Sequence, residues 1–141
     1  MAIGGKFASP YTEMAKEVYL SWCTIVLRDD RIVQITVQPG IVLDENAAQQ
    51  LYRIINELTN GEKSAVLVDA RVDYEITREA KRIASENSGN RYGTAVLSDR
   101  EIAATLINSY LAIFKPKSPV RHFTSEADAV SWLLELSTSK S

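Results

Sequence analysis

Residues Ser64–Ile83 read SAVLVDARVDYEITREAKRI, an apolar run that stops at Asp69, Ala70 and Arg71 and gives way to a charged segment of helical character. SAVLVDA is short and almost continuously apolar, which is the pattern of a strand covered on both faces. From Thr77 to about Glu86, Ala80, Ile83 and Ala84 fall inward at helical spacing, while Arg78, Lys81 and Arg82 fall outward. A doubly covered strand running into a helix needs packed layers above and below it, so this stretch sets the expectation of an α/β sheet.

The flanking segments agree. In DENAAQQLYRIINELTNG (Asp44–Gly61), Ala47, Ala48, Leu51, Ile54, Ile55 and Leu58 share one helical face. Asp44 offers an oxygen to a free first-turn amide, and Asn60-Gly61 supplies a left-handed stop. Further upstream, VYLSWCTIVLR (Val18–Arg28) and RIVQITVQ (Arg31–Gln38) are strand-like around Asp29-Asp30, which predicts a β-hairpin. YTEMAKEV (Tyr11–Val18) predicts one helical turn before it.

Downstream, NSGNR breaks the second helix and YGTAVL is a further apolar strand. Ser98 and Glu101 have capping-box spacing, predicting a third helix with Ile102, Ala103, Leu106, Ile107, Tyr110 and Phe114 inward. KPKSP ends that helix, VRHF makes a short last strand, and SEAD (Ser125–Asp128) caps a final helix through SWLLEL. Alternating strands and helices with short links imply right-handed crossovers and parallel pairing, with the hairpin as an antiparallel edge. The expected fold is a mixed α/β sheet of about five strands with an N-terminal hairpin and four helices. Residues 1–17 are expected to be a flexible N-terminal segment, 18–137 a single domain, and 138–141 a polar tail.

The chain has 141 residues, 45% hydrophobic and 24% charged, with a formal net charge of −2, the make-up of one ordinary globular domain. That charge gives no long-range pull toward nucleic acid, which argues against a nucleic-acid partner. A single cysteine, Cys23, excludes an internal disulfide, and a single histidine, His122, argues against a His-based metal site; no metal and no cofactor is expected. No apolar run approaches a membrane span of roughly 20 residues, and MAIGGKFASP lacks the pattern of a signal peptide, so a cytoplasmic location is expected.

The order of elements resembles the STAS domain, the SpoIIAA-like fold of anti-sigma-factor antagonists. The stretch FKPKSPVRHFTSEADAVSWL is similar to the end of uncharacterised bacterial STAS-like proteins, and Phe114, Lys115, Pro116, Pro119, Phe123, Ala129, Trp132 and Leu133 carry the match. The similarity covers roughly residues 18–136 and implies a fold more than a function. Each of these residues also has a mechanical reading. Pro116 and Pro119 end a helix and set an extended entry to a strand, while Phe123 and Trp132 bring large apolar surfaces suited to a core.

In phosphoregulated members of that family, the resemblance implies an Asp at the end of the third strand followed by Ser-Ser-Gly, with a serine that is phosphorylated. Asp69 stands at the family Asp, but Ala70 and Arg71 follow it, so no serine occupies the site. Thr77 is the nearest hydroxyl and the remaining phosphorylation candidate, though its position also suits a helix N-cap. Asp69, Arg71 and Asp73, with Glu75, could bind an anion or a partner at the strand ends. Lacking a nucleophile–base pair or a phosphate-cradling loop, they read more simply as a charged, wet loop. Arg71, Arg78, Lys81, Arg82 and Arg91 alternate with Glu75, Glu79 and Glu86, which intrahelical pairing explains.

The expectation is a non-enzymatic binding or regulatory module. It would act through a protein partner or as a homodimer formed partly by Tyr19, Trp22 and Ile25 on the hairpin. The alternative is a small-molecule or lipid-binding domain, its pocket between helices and strand ends and lined by Trp22, Tyr110, Phe114 and Trp132. An enzyme built on Asp69 and Arg71 ranks last.

Overall fold

The computed structural model describes residues 16–139. Twelve elements follow in order: β1 (Glu17–Tyr19), β2 (Cys23–Leu27), β3 (Ile32–Val37), β4 (Val42–Leu43), α1 (Glu45–Thr59), β5 (Ser64–Asp69), β6 (Glu75–Ile76), α2 (Arg78–Glu86), β7 (Arg91–Leu97), α3 (Ala103–Phe114), β8 (Val120–Phe123) and α4 (Glu126–Ser139). The main sheet has six strands in the order β1-β2-β3-β5-β7-β8, and β4 and β6 form a small parallel pair beside it. β1, β2 and β3 are antiparallel, and β3, β5, β7 and β8 run parallel. The expected mixed α/β sheet with four helices is therefore present, with one strand more than expected.

The extra strand comes from Val18–Arg28, expected as one strand. The chain folds back at Leu20–Trp22, with Leu20 N–H donating to the Cys23 carbonyl at 2.8 Å, and β1 pairs with β2. This places Val18 in the core while the backbone stays paired. The helical turn expected over Tyr11–Val18 lies mostly outside the described residues, and its last two, Glu17 and Val18, are strand. The acidic hairpin is present, but its left-handed residue is Arg31, at φ 71°. Asp30 instead stitches the turn by accepting from Ile32 N–H at 3.1 Å and pairing with Arg28 at 3.0 Å.

The α1 helix is built as its sequence demands. Asp44 Oδ1 accepts from Ala47 N–H at 2.9 Å, and Asn60 (φ 54°) closes the last turn before Gly61 N–H reaches back to the Asn56 carbonyl at 2.8 Å. Its apolar stripe of Leu51, Ile54, Ile55 and Leu58 covers Cys23, Ile25, Val33, Ile35 and Val66 on one face of the sheet. On the other face α4 lays Ala129 and Leu133 over Ala65, Leu67, Ala95 and Leu97. β5 thus feeds both cores, the double coverage anticipated for SAVLVDA. Ser125 Oγ accepts from Asp128 N–H at 3.2 Å to cap α4, which continues through Ser139.

Gly93 shows how closely α4 approaches. A Cβ there would stand 2.6 Å from Leu136 Cδ1 and 3.3 Å from the Trp132 ring. One step earlier β7 bulges. Arg91 pairs with Ser64 and Gly93 with Ala65, leaving Tyr92 as an extra residue.

The α3 helix departs from expectation. Of the inward set only Ala103 is buried, and Leu106 and Ile102 are each 49% exposed. The Ser98–Glu101 capping box does not form, because Ser98 Oγ accepts from Arg100 N–H at 3.2 Å and the helix begins later, at Ala103. Near its other end α3 is tied to α2, where Ser85 Oγ donates to the Phe114 carbonyl at 2.9 Å.

Candidate functional site

All three crossover helices, α1, α2 and α3, lie on one face of the sheet, because each successive parallel strand is added on the same side. The α2 helix packs its Ala80 and Ile83 against Leu43 of β4 and Ala48 of α1 and not onto the main sheet. Between that helix row and the sheet lies a cavity of about 250 Å³. Its floor is Ile35, Val66, Val68, Thr94, Val96 and Val120; its walls and roof include Leu51 and Tyr52 of α1, Ala80 and Ala84 of α2, and Leu106, Ile107 and Tyr110 of α3. An apolar chamber with a few polar groups is the usual form of a small-molecule site.

The polar groups on its wall are Tyr52, Tyr74, Lys81, Ser88, Arg91, Thr94, Arg100 and Tyr110, with no carboxylate among the lining side chains. Arg91 is the most unusual, being only 4% exposed. Its Nη1 donates to the Asn90 carbonyl at 2.6 Å, its guanidinium carbon stands 5.4 Å from the Tyr52 ring centroid, and its Nε has no hydrogen-bond partner among the described residues. Burial pulls the Arg91 pKa below its ordinary value, and burial pushes the Tyr52 hydroxyl up to about 12. Tyr52 is thus a neutral hydroxyl, able to donate. Ser88 is occupied structurally: its Oγ donates to the Ser85 carbonyl at 2.6 Å and accepts from Lys117 N–H at 2.7 Å.

The residues singled out from sequence are scattered. Tyr110 lines the chamber and stacks on Phe114, ring centroids 5.5 Å apart. Trp132 lies on the opposite face of the sheet, 5.4 Å from Phe123, so the aromatic pair belongs to the α4 core. Trp22 is half-buried at the edge between α1 and the β4–β6 pair. Ile25, expected on an exposed hairpin face, is fully buried under α1, whereas Tyr19 is exposed.

Asp69 and Arg71 do meet. Arg71 Nε and Nη2 grip the two Asp69 oxygens at 3.0 and 2.9 Å, and Glu126 at the head of α4 lies 3.8 Å from the same guanidinium. The Arg71 guanidinium holds the Asp69 carboxyl below the usual carboxylate range. Asp73 points elsewhere, 3.7 Å from Arg100. Ala70 is buried, with its N–H on the Leu97 carbonyl at 2.8 Å, so the position next to the family Asp is a packing site here. Thr77 caps α2, its Oγ1 accepting from Ala80 N–H at 3.1 Å. His122 Nε2 donates to the Ser98 carbonyl at 2.8 Å, joining β8 to the loop before α3. Among the described residues no group of three or more His, Cys, Asp or Glu gathers to hold a metal, and no helix is long and apolar enough to cross a membrane.

Sequence reasoning passed over Arg91 and Tyr52 as site residues. The available signal was a charged residue opening an otherwise apolar strand, RYGTAVL, whose burial depends on the bulge at Tyr92.

The family described as a domain of unknown function (DUF7793) matches residues 25–137. Among solved structures, an uncharacterised protein of the DUF3478 family with a SpoIIAA-like fold, from Shewanella loihica PV-4, is similar with 14% identity and a TM-score of 0.58. That match covers 79% of this chain and 91% of the other. A protein of unknown function from Arthrobacter sp. FB24 matches with 25% identity over 77% of this chain and 90% of its own, at a TM-score of 0.27. No curated protein matches.

Proposed function

The chain belongs to the DUF7793 family and has a SpoIIAA-like fold, and from that premise we propose that it is a non-enzymatic binding module that takes up a small apolar ligand. The observation that carries this reading is the 250 Å³ chamber between the sheet and the α1–α2–α3 row, with its mostly aliphatic lining. An engineered apolar cavity of about 150 Å³ suffices for benzene, so this chamber suits a body of roughly ten carbon atoms. The non-enzymatic part rests on the chemistry of the wall. Its serine is tied into backbone hydrogen bonds, and the Asp69–Arg71 pair is closed on itself.

Titration calorimetry with decan-1-ol, a neutral ligand of matching size, tests the proposal. One molecule is expected to bind per chain, and a Val96→Trp variant, which fills the floor, is expected to lose it. Absence of saturable binding to the unaltered protein would remove the proposal.

A second reading keeps a protein contact, either with another chain or in a homodimer. Ile102 and Ile113 leave apolar side chains exposed on α3 away from the chamber lining, the kind of surface that associates. Sedimentation velocity decides the homodimer: self-association that disappears in Ile113→Glu supports it, and a monomer at high micromolar concentration ends it.

A further inference from the structure

The structure assigns the chamber's ligand to a chemical class: we propose a carboxylate-headed amphiphile, its apolar body in the chamber and its carboxylate on Arg91. This inference rests on the chamber being a ligand site.

Two independent features point to a negative head. Arg91 is 96% removed from solvent, and its Nε is an orphaned donor. A guanidinium stays charged at every physiological pH, and a buried charge without an opposite partner is costly. Buried polar groups in folded proteins almost always find partners, and Arg91, a residue of the chamber's lining, carries its charge without an acidic partner among the described residues. Among the described residues the intramolecular options are closed. No described carboxylate forms an ion pair with Arg91, and the chamber's lining has Lys81 and Arg100 in addition but no acid.

The head group follows from the charge of the lining. Arg91, Lys81 and Arg100 bring three cations to the chamber and no described side chain brings an acid, and a planar carboxylate is an anion whose two oxygens suit a guanidinium. Tyr52, neutral and packed beneath the guanidinium, is placed to hold that cation in the orientation the acid meets. The apolar remainder of the wall rejects a small hydrophilic anion, so the tail is as much a part of the recognition as the head.

Calorimetry with decanoate and decan-1-ol at pH 7.5 compares the same body with and without the charge, on the full chain and on Arg91→Met. The unaltered protein is expected to bind decanoate about tenfold or more tightly than decan-1-ol, the range of a charged hydrogen bond. Arg91→Met is expected to bind the two alike. Equal affinity for both ligands in the unaltered protein overturns the carboxylate assignment while leaving the apolar chamber in place. Failure to bind either ligand overturns the chamber itself. If Arg91→Met does not fold, the ratio measured on the unaltered protein still decides, and a discrimination that survives in Arg91→Gln also overturns the assignment.

Discussion

Replacing Ala84 with leucine should stabilise the protein, which is an unusual expectation for enlarging a side chain in a packed layer. Ala84 lies on α2 and lines the chamber, so the added atoms enter unfilled volume without displacing neighbours. Three further carbons at about 0.8 kcal/mol each amount to ~2.4 kcal/mol. Ordering the leucine side chain returns roughly 0.5–1 kcal/mol of that. The net gain is about 1.5 kcal/mol, or a rise in Tm of roughly 5 °C for a domain of this size. Helix propensity hardly changes, since alanine and leucine are both good formers. Urea denaturation followed by circular dichroism measures the gain, with m expected to stay constant. Ala129→Leu is the control, because Ala129 is fully buried between α4 and the sheet; overpacking there should cost about 1–3 kcal/mol. If Ala84→Leu loses stability as Ala129→Leu does, the chamber is not free space and the ligand proposals fall with it. If it gains stability, the same variant should bind decan-1-ol more weakly.

Three other outcomes are expected. Cys23 is fully buried and burial pushes its thiol up to about 12, so Ellman's reagent at pH 8 should find no thiol in the folded protein and one per chain in denaturant; prompt native labelling would contradict this packing. The Asp69 carboxyl titrates lower in the folded chain than in the unfolded one, so its stabilising effect is complete above about pH 4 and fades as pH falls through the folded value. Arg71→Ala should therefore destabilise the protein more at pH 7 than in acid, and an equal loss at both pH values would refute the pairing. Thr77→Ala removes the cap of α2 and should cost about 1 kcal/mol in urea melts, whereas Thr77→Ser should be close to neutral.

Much of the architecture was readable because it rests on local rules. The α1 helix has its cap, stripe and stop in consecutive residues, and SAVLVDA declares its double coverage by composition alone. What stayed hidden depends on non-local geometry. Whether an apolar residue on α3 is inward depends on how far the sheet extends beneath it, and periodicity says nothing about that; hence Ile102 and Leu106 looked like core. Tyr110 and Trp132 looked like walls of one pocket, yet the sheet separates them, since α3 precedes the last strand and α4 follows it and crosses to the other face. The turn at Leu20–Trp22 carries neither glycine nor proline, so the break between β1 and β2 gave no compositional warning. Arg91 read as one of several surface cations until the bulge turned it inward.

The exposed α3 and the hollow beneath α2 have one cause. Strands sit ~4.8 Å apart, so the three steps from β3 to β8 advance about 14 Å, while three helices packed side by side need roughly 18 Å between their outer axes at 8–10 Å each. A row that wide spreads beyond the strands it connects: α1 reaches back over β2, α3 is left largely exposed, and α2 in the middle stands off the main sheet. The opening is therefore a property of winding every crossover to the same side, and exchanging one aliphatic lining residue for another should resize it without abolishing it. A sequence of this topology inherits a vacant interior first and a ligand preference afterwards, set by whichever side chain faces the void.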